Sequence, residues 1–471
     1  MELWRFLLNV FIPDKYVFMI GIVTVVTLII YRRHIPNKQP PCYGGWIPWL
    51  GCAIEFGKCP LYFIEECRKK LGPVFTLKVA GSRLTFITEP EDYRNFFTSR
   101  NVDFQKAVQE PVEKTASIPQ ESFHENHTRM HDTIKWNLAQ SNLGPFFQRI
   151  RNKFNEGFHQ WNKTGEADLN SFIRGTMYKA VLDNLFGDYV LPTSPEDDFK
   201  LLESHFVKFD EDFEDWSTSK QWLLNLLKNT IINMKNEENT SNDQTLFSKV
   251  VKNVKGPHAA NFAMLLMWAS LANAIPMTFW TVAFILWNQD VLDKVKREIR
   301  ETLGNNNGKA NSCELTENDL NRLPYIKRCV LEAIRLRSPG VITRGVKEPL
   351  HVKGYTIPVG DLLMLSPYWT HHNPKYFPNP ECFNPDRWLS IDPERSTFMD
   401  GFVAFGHGRY QCPGRWFAVM EIHLFVVLLF NTFDITPLDP FPRHSPLHLV
   451  GSQQPETAMR VKYTRIIKDI V

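Results

Sequence analysis

The sequence predicts a mainly α fold with a minor β region, on three observations. Amphipathic helical segments dominate from about Asn142 to Leu336, among them QWLLNLLKNTIINMK and PYIKRCVLEAIRLR. Strand-like pieces lie towards the two ends: LGPVFTLKVAGSRLTFIT alternates around Gly81-Ser82 as a hairpin does, and the chain after Ser338 turns to short strands and prolines. No glycine-rich βαβ turn is present, so a dinucleotide fold of the Rossmann kind has no support.

Composition sets the outer bounds. With 471 residues, 43% hydrophobic, 13% aromatic and 22% charged, the chain buries a large core and is neither disordered, collagenous nor a small disulfide-stapled domain. Length alone fits two or three domains, or one oversized fold of the kind large enzymes use. Lys plus Arg number 54 against 51 Asp plus Glu, a net charge of +3, so no dominant field recruits nucleic acid. The eight cysteines (Cys42, Cys52, Cys59, Cys67, Cys313, Cys329, Cys382, Cys412) form no CxxC pair, which argues against a disulfide framework or a zinc ribbon.

From the N-terminus, residues 1–34 read as a membrane anchor. Tyr16 to Tyr31 carries no charge, and Arg32, Arg33 and His34 follow as the basic flank that stays cytosolic, so the body of the protein is expected to face the cytosol. A cleaved signal peptide fits less well, because the basic cluster follows the apolar run and no small-x-small site comes after Ile30. Residues 35–51, with Pro36, Pro40, Pro41 and Pro48 among glycines, read as a stiff hinge leading into a catalytic body over 52–471. NEENTSND (Asn236 to Asp243) and GNNNG (Gly304 to Gly308) read as surface loops.

A second charge-free run, Phe262 to Trp287, passes a length test for a membrane span. Ser270, Asn273, Pro276 and Thr278 interrupt it, and the charged DKVKREIR follows. It therefore reads as a rod through a globular core, with a polar notch at its centre. That notch is either a hydrogen-bonded core amide beside a proline kink or an opening beside a buried reaction centre. The last helix is RWFAVMEIHLFVVLLF.

The strongest local signal is the loop Phe405-Gly-His-Gly-Arg-Tyr-Gln-Cys412-Pro-Gly414, immediately before that last helix. The positive helix end and backbone donors favour a thiolate there, and Pro413 suits a helix start because its missing N–H is not needed. Such a loop can present sulfur to a metal, although an unpaired cysteine is more often a small buried hydrophobe.

This loop resembles the haem-binding loop of the cytochrome P450 family, F-x-x-G-x-R-x-C-x-G, at Phe405, Gly408, Cys412 and Gly414. Glu332-Ala-Ile-Arg335 matches the family's E-x-x-R pair, and Phe383-Asn-Pro-Asp-Arg387-Trp388 matches the segment that completes its Glu-Arg-Arg cluster. An ExxR alone is an everyday helical ion pair; the three motifs in order are specific. The resemblance runs from the hinge to the C-terminal strands and implies a single large haem-thiolate fold with an N-terminal anchor.

It implies that Cys412 is the axial thiolate of a haem b, the ligand that favours O–O cleavage, with Phe405 beside the sulfur. Glu332, Arg335 and Arg387 would support the loop structurally, and Arg344 would meet a haem propionate. The family's second propionate arginine is replaced by Tyr410, with Arg409 one place early, so that contact falls to Arg344 and a phenol or to Arg409. Trp136 is followed by Gln140 instead of the family's arginine. In the notch, Ala272 stands for the family's acid and Asn273 for its threonine, which makes Asn273 the candidate for ordering the water chain towards dioxygen.

The asparagine notch, the QCPGRWFA segment and PLHLVG resemble the sterol branch of the family. They imply NADPH-dependent oxygen insertion into a sterol C–H bond, most closely 7α-hydroxylation of 24-hydroxycholesterol, with electrons from NADPH-cytochrome P450 reductase. Ala269, Ala272, Val341 and Ile342 would then face the sterol, and Arg409 and Arg415 would meet the reductase. The implied location is the endoplasmic reticulum membrane. The alternatives are other sterol hydroxylations (7α of cholesterol, 12α), a haem-thiolate isomerase of the prostacyclin-synthase kind, and a non-enzymatic anchored haem protein.

Overall fold

The structure is a computed structural model that describes residues 38–187, 190, 196–211, 216–237, 245–304, 315–389, 401–445 and 451–466. The anchor reading, most of NEENTSND, the GNNNG loop beyond Gly304, and PLHLVG up to Gly451 lie outside the described residues.

Strand signals at the two ends of the sequence meet in one sheet. β1 (Cys42–Tyr43), β2 (Val74–Val79), β3 (Ser82–Ile87), β4 (Val102–Asp103), β6 (Ile342–Val346) and β9 (Leu362–Leu365) pair in the order β1-β2-β3-β9-β6-β4. β2 and β3 form the expected hairpin, registered from Val74↔Ile87 to Val79↔Ser82. Its turn is Ala80-Gly81, one residue earlier than the sequence reading, because Ser82 already pairs with Val79. Both turn residues have positive φ, 45° and 82°, the twist that suits a two-residue hairpin. The hinge residues from 38 onward lie against this sheet: β1 runs parallel to β2, and Gly51 bridges Val79. A second sheet joins β10 (Phe433–Pro437), β11 (Arg460–Arg465) and β5 (Thr164–Asp168), and β7 (Leu350–Val352) pairs with β8 (Tyr355–Ile357).

Helices make up the rest of the core. The charge-free run folds as two helices, Ala259–Leu271 and Ala274–Trp287, most of whose residues are buried. They are separated at Ala272-Asn273 because Pro276 has no N–H to return to the Ala272 carbonyl, so one rung of the ladder cannot form. Thr278 and Thr281 keep their hydroxyls satisfied by donating to the carbonyls of Ala274 and Met277, at 2.8 and 2.7 Å. The last helix, Arg415–Thr432, is buried on every face from Val419 to Phe430. Phe425 meets Phe154 and Phe158 edge-on, each at 5.3 Å. These long apolar helices are core rods by their burial.

Two titratable groups on the last helix are enclosed with them. His423 shares a 3.0 Å hydrogen bond with the Leu323 carbonyl, and burial holds its pKa down at about 3. Glu421 has an Oε2 with no partner, and burial raises its pKa well above the ordinary value, which keeps it a neutral acid. His371 and His372 are likewise held neutral by burial, His372 with a pKa of about 4. The unfolded chain takes up protons at these imidazoles near pH 6.5 while the folded one does not, so they favour folding above that pH and lose the advantage below it. Glu421 has the opposite sign and weakens folding as pH rises above about 4.5. Three imidazoles outweigh one carboxyl. Stability should therefore fall between pH 6.5 and 5, by about 1.4 kcal/mol per pH unit for each uncompensated histidine, as read by urea unfolding across that range.

Candidate functional site

The site is built around the Glu332 carboxylate, which is fully buried on the helix Pro324–Arg337. Five donors converge on its two oxygens. Arg335 donates from Nε and Nη2, each at 2.9 Å. Arg387 Nε donates at 2.8 Å, the Asn384 backbone N–H at 3.0 Å and the Trp388 indole N–H at 3.0 Å. The three expected residues Glu332, Arg335 and Arg387 thus meet, and Trp388 and Asn384 join them. An ion pair this deep is sustained only when every oxygen is satisfied, as here.

From this cluster a relay runs to the cysteine loop through His371, which sequence reasoning missed. Arg335 Nη1 donates to the His371 carbonyl at 2.6 Å. The Val403 backbone N–H donates to His371 Nε2 at 3.2 Å, which forces the ring proton onto Nδ1, and this donates to the Arg335 carbonyl at 3.0 Å. Val403 in turn begins the loop. Its carbonyl accepts from the Gly406 N–H at 2.9 Å, and the Cys412 N–H donates to the Phe405 carbonyl at 2.8 Å. Gly406 and Gly408 have φ of 68° and 72°, a bend that only glycine enters cheaply. Cys412 therefore sits two residues ahead of Gly414, which caps the last helix. Burial raises its thiol pKa, while the Gly414 and Arg415 backbone amides and the Arg415 charge pull it back.

On one side of the loop lies an aromatic box holding Arg344, on β6. The side chain is buried, and its guanidinium carbon lies 5.0 Å from the Phe104 ring, 5.1 Å from Phe96, 5.6 Å from Tyr410 and 5.8 Å from Phe97. Its hydrogen bond goes to the neighbouring Thr343 carbonyl at 2.7 Å, and no described carboxylate lies within ion-pair distance. Burial pushes its pKa down to about 10, the mark of a cation lacking a counter-charge. Phe104 and Tyr410 stack at 4.5 Å, and His127 packs beside both, at 5.3 and 5.9 Å. His127 Nδ1 is buried with no partner. His131, one turn on, shares a 3.2 Å hydrogen bond with the Gln411 carbonyl and faces Tyr410 at 6.4 Å. His127 and His131 point inward from the helix Gln120–Asn137, whereas Trp136 is 75% exposed. Their i, i+4 spacing was the signal available in the sequence. Arg409 is exposed, 5.6 Å from the Tyr410 ring, and so lies outside the box.

The box fits an anionic group carried by a ligand: a buried guanidinium, two imidazoles and a phenol, with an orphaned ring nitrogen among them. Of the remaining expected residues, Ala269 and Ala272 flank the helix break along the chain, whereas Ile342 lies on β6 and Val341 just before it. Ala269 is exposed on a helix that is otherwise mostly buried, and Ala272, Val341 and Ile342 are half-buried. Asn273 accepts a 3.0 Å hydrogen bond from the Ser452 N–H through Oδ1.

A thiol loop tied by hydrogen bonds to a Glu-Arg-Arg cluster and beside an anion box, in a fold with a broken central helix, defines a haem-thiolate protein. The cytochrome P450 family model matches residues 40–255 and 199–461, and the chain belongs to that family. It is 40% identical over 456 residues to 24-hydroxycholesterol 7-alpha-hydroxylase of Homo sapiens, covering 93% of this chain and 96% of that one. The protein of the same name from Mus musculus is 40% identical over 94% of this chain and 97% of its own. Cholesterol 7-alpha-monooxygenase of Cricetulus griseus is 26% identical, over 91% and 94% respectively.

Replacing Glu332 by Gln puts an amide N–H₂ among five donors and removes the charge that both arginines neutralise. The expected loss is about 3 kcal/mol or more in urea unfolding, and a fall under 1 kcal/mol would contradict this account of the cluster.

Proposed function

We propose that the chain is a sterol monooxygenase that performs 7α-hydroxylation of 24-hydroxycholesterol in bile acid synthesis. The observation that carries this reading is the 40% identity, sustained over 93% of the chain, to a relative named for that reaction. Cys412 would hold the iron of haem b, bound without covalent attachment since the sequence has no CxxCH. Arg344 and Tyr410, with His127 and His131, would hold the carboxylates at the porphyrin edge, and the exposed Arg409 would stay free of them. Phe405, through its carbonyl, and Gly408, through its positive φ, would hold the sulfur in place, and Glu332, Arg335 and Arg387 would fix the loop. Once bound, a haem thiolate supplies dioxygen activation, one oxygen atom entering a C–H bond and the other leaving as water.

The chain's own residues do the rest. Ala269 and Ala272 leave a wall without bulk, and Val341 and Ile342 extend it as an apolar surface suited to a rigid sterol. Asn273 puts one carboxamide into that wall. Electrons come from NADPH-cytochrome P450 reductase, docking at a cleft of about 180 Å³ lined by Lys327, Phe405, Gly406, Gln411 and Arg415. Residues 1–34 would form a single-pass anchor in the endoplasmic reticulum membrane, with the catalytic body in the cytosol and its substrate drawn from the bilayer.

The reduced protein should give the strongly red-shifted carbon-monoxide band of thiolate-ligated haem, and Cys412→Ser should abolish it. With reductase and NADPH, a panel of cholesterol and 24-, 25- and 27-hydroxycholesterol should yield a 7α-hydroxylated product from the 24-hydroxy sterol. Product formed without NADPH would instead indicate an isomerase. His127→Phe keeps a ring packed beside Phe104 and Tyr410 but removes its nitrogens. Haem transfer from this variant to apomyoglobin should be about tenfold faster than from wild type, and an unchanged rate would remove His127 from the carboxylate site.

A further inference from the structure

Three chain segments remote in sequence meet at the break in the central helix. Ser452 donates its backbone N–H to Asn273 Oδ1 at 3.0 Å. Since a backbone N–H can only donate, the carboxamide oxygen must face it, and this fixes which end of the amide is which. The Nδ2 end has no hydrogen-bond partner among the described residues and is not sealed from solvent. The preceding residue, Gly451, has φ 73° and lies so close that a Cβ there would collide with Asn273 Oδ1 and stand 3.3 Å from its Cγ. The turn is itself held. The Gln453 N–H donates to the Arg337 carbonyl at 2.9 Å, and the Trp280 indole N–H donates to the Gln453 carbonyl at 2.7 Å. A Cβ on Gly340 would likewise strike the Gly451 backbone, at 2.7 Å from its nitrogen.

We infer that Gly451 is a positioning residue: the Gly451-Ser452 turn clamps the Asn273 carboxamide by its oxygen, so that the N–H₂ end, a hydrogen-bond donor, is the end left for the space beside Ala269 and Ala272. The threonine expected in the family at this place carries a hydroxyl that both donates and accepts. The free N–H₂ end of the clamped Asn273 has donors only and so cannot take a proton from a donor and pass it on. Its action is to hold an oxygen acceptor, and the turn determines whether it is aimed to do so. Both the geometry and the chemistry of the notch are therefore set by backbone about 180 residues later in the chain.

This inference rests on the sterol monooxygenase reading for its catalytic consequence, though the clamp itself does not. The test is a double-mutant cycle of Gly451→Ala, Asn273→Ala and the pair, restricted to protein that gives the wild-type carbon-monoxide spectrum. With reductase, NADPH and the sterol, peroxide released per NADPH should rise about fivefold in either single variant and no further in the double. Thermal unfolding gives a readout that needs no substrate: the fall in Tm caused by Gly451→Ala should shrink by about half once Asn273 is alanine, because the collision is gone and the left-handed strain remains. Equal falls in the two backgrounds would overturn the clamp. A clamp seen in Tm with peroxide release that stays at wild-type level, or that adds in the double variant, would overturn its role. Wild-type protein that turns over no sterol would overturn the proposed function, with the Tm cycle still deciding the clamp.

Discussion

The structure depends on keeping one buried carboxylate charged. Glu332 has no access to water, and an unpaired carboxylate in that position would cost several kcal/mol. Its five donors come from its own helix and from the segment around Asn384-Trp388, so satisfying the charge also docks that segment. Because Arg335 has spent Nε and one terminal nitrogen on Glu332, its other terminal nitrogen is free to take the His371 carbonyl. His371 then returns one hydrogen bond to Arg335 and receives another from Val403. The loop that carries Cys412 is thereby referenced through His371 to the helix that carries Arg335.

Neutral His371 is essential to that chain of bonds. Protonated imidazole has two donors and no acceptor, so the Val403 N–H would lose its partner in a place water cannot reach. Burial and the adjacent Arg335 charge both oppose that proton. The electrostatic design of this region is therefore one negative charge fully compensated, with a neutral relay attached. The Arg344 box is its complement, a positive charge with no carboxylate partner among the described residues. One cluster serves the fold and closes on itself; the other, in the function proposed above, would be completed by a ligand.

Much of this was legible in the sequence. The Cys412 loop, the E-x-x-R pair and the Arg387 segment are short motifs whose spacing survives in any reading frame of the fold, and the hairpin and the apolar rods follow from periodicity. What escaped were partners supplied by distant backbone. His371 carries no motif, since its role comes from where Val403 and Arg335 happen to lie. The histidines of the Arg344 box carry no motif, and the motif-like Trp136 is exposed, while His127 and His131 carry the inward face of the same helix. The hairpin turn was misplaced by one residue because Ala80 adopts the positive φ expected of a glycine.

The break in the central helix shows why such information is distributed. Pro276 accounts for the missing rung locally, and any sequence reading finds it. A broken helix nevertheless has loose ends, and without further restraint the Asn273 side chain would be free to rotate. Its direction is fixed by the Ser452 N–H, and the space for that bond exists only because Gly451 has no side chain. Local sequence creates the opening, whereas non-local backbone decides which polar group fills it and with which end. For the proposed sterol wall, which would take a rigid apolar substrate and keep one directed polar contact, that division is an advantage. The helix at the break is left to small residues such as Ala269 and Ala272, and the orientation of the Asn273 carboxamide is carried by a turn outside it.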